Sequence, residues 1–368
     1  MSEKTAVKTG KVAVMTEPLN LKYQEYSIPS PQPGSLVVKV TRTNVCGSEL
    51  HIWRGHHPSI KRGVLGHEMI GTIHELGEGV TKDYAGNPVN VGDRIVSTYF
   101  LTCRKCSPCQ EGRFHLCENA YEFWTKQPEI EPHFHGSFAT HYYIHENQYF
   151  YKVPENVSDV AAASANCALS QVYFGIEEAE LRYNQTIVIQ GAGGLGLYAS
   201  AIAKEKGAKV IVIDSIKNRL EQAKKFGADH VIDMNEYTTL ESRENAILKL
   251  TNGKGADIGM ELAGVPAAFA EGIHLIRPGG KYVTIGNVSI GKFVEFDPGL
   301  LTRKSIKILP IVRYNPWYLR KSLEFLSASI EKYPFDQMLD AEFTLDQIQE
   351  ALDKSSAREV TRASIIVD

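Results

Sequence analysis

No apolar run in the 368 residues approaches the roughly 20 consecutive residues of a membrane-spanning helix. An excess of basic charge is also missing. The chain carries 40 Lys and Arg against 43 Asp and Glu, a formal net charge of -3, which speaks against nucleic acid or an anionic membrane as a partner. Cysteine is scarce, at 6, and four of these crowd into one segment, which excludes a disulfide framework spread along the chain. There is no internal repeat and no low-complexity tract. The opening stretch MSEKTAVKTGKVAVM lacks the apolar centre and small-residue cleavage pattern of a secretory signal, so a cytoplasmic protein is expected.

What is present is a globular composition, 43% hydrophobic and 23% charged, long enough for two domains that each bury a core. Residues 1 to about 168 read as strand-rich. Runs such as Leu36–Val40 are separated by Pro29, Pro31, Pro33 and Gly34, and Gly47, Gly55, Gly63, Gly66, Gly71, Gly77 and Gly79 suit short strands and tight turns. From 169 the pattern changes to βαβ alternation. Strands are expected at 186–190, 209–213, 230–232, 257–261, 281–285 and within 306–312, with helices to about 206 and over 218–226, 242–250 and 267–276. Six strands alternating with helices predict a doubly wound parallel sheet over 169–311. The tail, 312–368, offers helices at 319–329 and 345–352 and a strand at 363–367. It is assigned back to the first domain because the sheet is complete without it.

Gly191-Ala-Gly193-Gly194-Leu195-Gly196 follows a predicted strand and opens a helix, the context a dinucleotide-binding turn requires. Gly191 allows the tight turn, Gly193 lets backbone approach a pyrophosphate, and Gly196 lets the helix pack on the sheet. Asp214 ends the next strand, where a carboxylate accepts hydrogen bonds from a ribose diol and repels a 2′-phosphate; this predicts NAD. Lys217 and Arg219 nearby leave NADP open, and Arg219 is equally placed for the ribose edge of NAD. Farther upstream, Cys103-x2-Cys106-x2-Cys109-x7-Cys117 places four thiols in a lobe at about 97–120 that lacks a core of its own. Four sulfurs close a tetrahedral zinc shell with no open position, which makes the site structural; an iron–sulfur cluster is the alternative that spacing leaves open.

Three further pieces are bland singly: Asn44-Val45-Cys46-Gly47-Ser48-Glu49-Leu50-His51, then Gly66-His67-Glu68, then Asn166-Cys167. Taken in order with the cysteine lobe and the glycine turn, the whole chain resembles the zinc-containing alcohol dehydrogenases of the medium-chain dehydrogenase/reductase superfamily. The resemblance implies an α/β protein with a GroES-like β-rich catalytic domain and a six-stranded Rossmann domain, two Zn2+ per subunit, and NAD. It implies a catalytic zinc on Cys46, His67 and Cys167, with Glu68 approaching the metal during ligand exchange and Glu49 fixing the His67 tautomer. Ser48 is then the first proton acceptor and His51 the relay to solvent. Ile285 and Arg362 join the cofactor site, Arg362 at the pyrophosphate.

The chemistry agrees with these assignments. Hydride leaves a carbon more readily when its oxygen is an alkoxide, and zinc stabilises that anion. Tyr99, Trp53 and His57 are candidate pocket residues, and aromatic walls suggest a secondary or cyclic alcohol. A Cys at 167, where polyol and threonine dehydrogenases carry a carboxylate, leans toward alcohol dehydrogenases proper; a polyol or amino-alcohol dehydrogenase is the alternative. The three histidines within Pro132–Tyr142 are read as strand and turn, not a second metal site. A homodimer or homotetramer is expected, through a sheet edge near Lys281–Phe296.

Overall fold

The computed structural model describes residues 8–57, 60–286, 290–360 and 362–367. Two compact units emerge. One comprises Met1–Cys167, Asn315–Ile330 and Phe335–Asp368; the other comprises Ala168–Tyr314 and Glu331–Pro334.

The first unit opens with β1 (Thr9–Glu17), β2 (Asn20–Ser27), β3 (Leu36–Asn44), helix α1 (Gly47–Trp53), β4 (Gly63–Val64), β5 (Glu68–Leu76) and β6 (Arg94–Ser97). Short helix α2 (Ser107–Gln110), β7 (His141–Ile144), β8 (Phe150–Lys152) and α3 (Asp159–Ala162) follow. The centre of β1, Val12–Met15, and the start of β3, Leu36–Val38, are apolar runs buried on both faces. Val12, Val14 and Val37 point into one cluster with Phe134 and Tyr143, while Ala13, Met15, Leu36, Val38 and Val40 point into the main core. That split follows the two-residue period of a strand. β2, β1 and β4 form a small sheet in that order. β3 pairs antiparallel with β5, with irregularities at Val37/Val38 and Val40/Arg42, and its end delivers the chain to Cys46.

The second unit contains α4 (Ser170–Glu178), β9 (Thr186–Gln190), α5 (Gly194–Glu205), β10 (Lys209–Asp214), α6 (Lys217–Lys225) and β11 (His230–Asp233). It continues with α7 (Leu240–Leu250), β12 (Ala256–Glu261), α8 (Pro266–Leu275), β13 (Ile276–Thr284), α9 (Pro298–Lys304) and β14 (Lys307–Pro310). All six strands are parallel, in the order β11-β10-β9-β12-β13-β14. The order reverses between β9 and β12, the switch point at which such sheets bind ligands. Val188, Ile211, Ile213 and Ile258 are buried because helices cover both faces.

β13 is longer than the pattern predicts. It starts at Ile276 and runs through Pro278-Gly279-Gly280, with a register shift opposite Ala256/Ile258 that absorbs the turn-like residues. The expected pairing edge at Lys281–Phe296 is corrected as well. β13 lies between β12 and β14, so the outer strand on that side is β14.

The chain then supplies α10 (Trp317–Ser329), β15 (Ala341–Thr344), α11 (Ile348–Ser356) and β16 (Ala363–Ile366). β16 pairs antiparallel with β3, completing a seven-stranded sheet β15-β16-β3-β5-β6-β8 with β7 on β3. The second tail helix begins with a 3-10 turn at Leu345–Gln347, so its α-helical part starts later than the sequence suggests. Glu331–Pro334 lies with the parallel sheet, where Tyr333 Oη donates to Glu205 Oε1 at 2.9 Å. Among the described residues no helix is long and apolar enough to cross a membrane.

Candidate metal centre and dinucleotide turn

Cys46, His67, Glu68 and Cys167 come together in the first unit, each with a ligating atom within 4.8 Å of the others. They arrive from three places: the entry to α1, the junction into β5, and a π-turn at Ala165–Leu169. Cys46 Sγ lies 3.9 Å from Cys167 Sγ, and His67 Nε2 lies 3.1 Å from Cys167 Sγ. Glu49 organises two of these ligands. One oxygen accepts the Cys46 N–H at 2.9 Å and the other pairs with His67 Nδ1, which leaves Nε2 facing the sulfurs. His67 is 5% exposed and Glu49 0%, so the pair is fixed in the interior.

The electrostatics describe a crowded anionic nest. Its hydrogen bond with Cys167, with burial opposing, draws the Cys46 thiol well below its usual range. The same hydrogen bond, together with burial, pushes Cys167 well above it. Burial pushes Glu68 up to about 7, against the pull of Arg362. A pair of sulfurs, Cys167 buried and Cys46 partly so, with an imidazole and a carboxylate is a donor set that a soft-to-borderline divalent cation neutralises, and zinc fits it.

The four lobe cysteines form a second cluster, again with sulfurs within 4.8 Å of one another. α2 carries Cys109, while Arg104 takes a left-handed conformation in the knuckle after Cys103. Backbone N–H groups already point inward: Cys106 N donates to Cys103 Sγ at 3.4 Å and Cys103 N to Cys117 Sγ at 3.3 Å. Such N–H···S bonds are the usual support of a tetrathiolate shell, and the cluster among the described residues is made of four cysteine sulfurs, so a closed zinc site fits here too. No third cluster of this kind exists among the described residues. The histidines at 133, 135 and 141 are occupied otherwise: His133 stacks on Tyr26, His135 Nε2 faces the Ile130 carbonyl, and His141 packs against His74.

In the second unit the glycine turn runs from β9 into α5, whose N-cap is Gly193. Gly191 has φ +101, and a Cβ on Gly196 would stand 1.9 Å from the Gly191 carbonyl oxygen, so both positions are restricted to glycine by the fold. Gly193 differs. A Cβ there meets nothing within 4 Å, so packing does not restrict this position to glycine. Gly194 and Leu195 open the helix, presenting its N-terminus to an anion. Asp214 is 9% exposed and clasps the turn, accepting from Ala192 N at 2.7 Å and Ile216 N at 2.9 Å. Arg219 lies part-exposed in the first half of α6, and Ile285 is buried just beyond β13.

Together with the turn, the metal nest decides the family. A model described as an alcohol dehydrogenase GroES-like domain matches residues 32–155, and one described as a zinc-binding dehydrogenase matches 194–328. The 5-exo-hydroxycamphor dehydrogenase of Pseudomonas putida is 32% identical over 346 residues, 93% of this chain and 94% of that one. The chain belongs to the zinc-type medium-chain alcohol dehydrogenases. This dehydrogenase is also similar to the sorbitol dehydrogenase of Bacillus subtilis, at 31% identity over 354 residues, covering 94% of this chain and 93% of the other. Among solved structures, an alcohol dehydrogenase from Thermotoga maritima superposes with a TM-score of 0.92 at 29% identity, covering 98% of this chain and 100% of that one. Zinc and a nicotinamide cofactor are properties of this family.

Several residues of the dehydrogenase stand elsewhere than the sequence suggests. α1 turns Glu49, Ile52 and Trp53 inward, and Trp53, 2% exposed, is part of the main core rather than an open pocket wall. Ser48 and His51, one helical turn apart, lie on the less buried side. His57 accepts the Ile60 N–H at 3.0 Å through Nδ1. Arg362 is 7% exposed and committed to Glu68 and to Ser164, whose Oγ it reaches at 2.9 Å. A buried carboxylate demands a nearby countercharge, and Arg362 meets that demand.

Tyr99 does lie at the centre, its ring 4.8 Å from that of His67. Trp124, missed in the sequence, packs edge-on at 5.9 Å from His67, and Tyr121 lies 5.5 Å from Trp124. The run Tyr121-Glu-Phe-Trp124 just after Cys117 was the available signal, but no periodicity marks which of its rings turns inward.

Proposed function

We propose that this protein is a zinc-dependent, NAD-linked alcohol dehydrogenase that reversibly oxidises a secondary or cyclic alcohol to the carbonyl. The observation that carries the reading is the clustered Cys46–His67–Cys167 donor set with Glu49 on the outer imidazole nitrogen. Bound in that nest and on the glycine turn, zinc supplies Lewis acidity and NAD a hydride acceptor. Cys46, His67 and Cys167 would hold the metal, with Glu68 as a further carboxylate within reach of it. The four lobe cysteines hold a second, structural zinc. Ser48 takes the proton of the substrate hydroxyl. His51 passes it to solvent, and burial lowers its pKa, with His56, His57, Arg54 and Lys61 adding to the effect, so it is a neutral acceptor at pH 7. Gly193 and the start of α5 carry the pyrophosphate, while Asp214 meets the adenosine ribose and disfavours a 2′-phosphate.

The aromatic surroundings of His67, Tyr99 with Trp124 and Tyr121 behind it, favour an apolar ring over a chain of hydroxyls. The relative named for hydroxycamphor accords with this. A polyol dehydrogenase is the second reading, favoured by the relatives named for sorbitol; Cys167 and the aromatic walls weigh against it. Small-molecule substrates and a homodimer or homotetramer through the β14 edge complete the picture.

The test is metal analysis joined to an NAD-reduction screen over primary, secondary, cyclic, polyhydric and charged alcohols. The reading expects zinc-dependent activity that is highest on secondary or cyclic alcohols. Full activity in zinc-free protein overturns the mechanism, and sorbitol or ethanol as the best substrate overturns the substrate class.

A further inference from the structure

Asn166 lies one residue before Cys167 inside the π-turn Ala165–Leu169 and is 1% exposed. Its side-chain amide reaches two carbonyls: Nδ2 donates to His67 O at 2.7 Å and to Ser97 O at 2.9 Å. One carbonyl immediately precedes β5 and the other ends β6, so a single –NH2 group spans the π-turn and two strand ends. Among short side chains only the amide offers two donor hydrogens in a fixed planar fork.

Glu49 ties Cys46 to His67, as described above. Cys167 stands 100 residues from His67 in the chain and arrives on a wide helical turn that has one residue more than an α-helical turn. The Asn166 amide is a direct bond from that turn to the backbone of the His67 ligand. We propose that Asn166 is a positioning residue for the catalytic metal: it sets the spacing between Cys167 and His67 and thereby the affinity of the centre for zinc. This rests on reading the Cys46–His67–Cys167 nest as the zinc centre. Asp at this position keeps the shape but turns acceptors toward two carbonyls; Ser keeps one donor and shortens the reach.

The experiment uses the full-length protein and the variants Asn166→Asp and Asn166→Ser. Zinc is withdrawn by graded chelator, and cobalt-substituted samples are read by absorption spectroscopy. The expected result is a 10- to 100-fold loss of zinc affinity at the Cys46 centre for Asn166→Asp, with Asn166→Ser between it and the parent. The thiolate-to-cobalt band should shift, while the four-cysteine lobe keeps its metal as an internal reference. If either folded variant holds zinc within twofold of the parent and gives an unchanged cobalt spectrum, Asn166 only supports the fold and the proposal is overturned. A failure of Asn166→Asp to fold leaves the decision to Asn166→Ser. A parent protein that binds no metal at Cys46 overturns the underlying reading and this proposal with it.

Discussion

At the scale of single residues, the metal nest is a problem of buried charge. Two sulfurs and a carboxylate gather around one imidazole, and the Arg362 guanidinium is paired with Glu68. Replacing Cys46 by Ser weakens the grip on a borderline cation. The expected outcome is a loss of about a thousandfold in kcat/KM, equivalent to several kcal/mol of electrophilic stabilisation. Metal analysis should show the deficit at this site alone. His51 gives a second expectation. Burial holds its pKa below the ordinary histidine value, so the base is neutral at pH 7 and protonates only as the solution becomes more acidic. The acid limb of alcohol oxidation therefore falls below about pH 6.5. In His51→Gln that limb should vanish, with neutral-pH activity down about a hundredfold, near the low end for a general base. An unchanged pH profile would remove His51 from the proton path.

Elements position what residues do. The turn from β9 into α5 combines two glycines required by the fold with one that packing does not require and that we assign to the pyrophosphate, and substitution separates them. A Cβ on Gly196 collides with the Gly191 carbonyl at 1.9 Å, so Gly196→Ala should destabilise the folded protein by about 2 kcal/mol or more. Gly193 has nothing within 4 Å, so Gly193→Ala should melt like the parent yet bind NADH at least about tenfold more weakly. Calorimetry and fluorescence titration read the two effects independently. Equal loss of stability in both variants would contradict the assignment of Gly193 to the pyrophosphate. Strand and helix positions in this unit were legible in the sequence, because short apolar-rich strands alternating with helices repeat one pattern. The ends were less legible: Pro278-Gly279-Gly280 reads as a break, yet it sits within β13, where pairing to β12 and a register shift override local preference.

For the molecule as a whole, acid is the condition that sets stability against burial. Burial brings His135 down to about 4, His141 to about 4 and His145 to about 3. All three are neutral in the folded state at pH 7, and in the unfolded chain they protonate near pH 6.5. The unfolded state therefore binds more protons as the pH falls below 6.5, and stability declines down to the folded values near pH 4. Each histidine contributes up to about 1.4 kcal/mol per pH unit in that window. Urea midpoints of the first unit between pH 7 and pH 4.5 should fall accordingly, and His145→Phe, which keeps the stack on Phe123, should flatten the slope. An unaltered slope would assign the acid sensitivity to the metal ligands instead.

The sequence by itself determined the family, the parallel sheet with its glycine turn, and which cysteines and histidine were candidates to meet. These are carried by short-range patterns: alternation, spacing, and glycines whose conformation few other residues adopt. Only the tertiary structure decided that Trp53 is core and Trp124 lies beside His67, that Arg362 serves Glu68, that β14 rather than β13 ends the sheet, and that Asn166 clasps two strands. Each of these depends on which way a side chain or strand faces once distant segments meet, and that is set by burial and hydrogen-bond satisfaction across the fold.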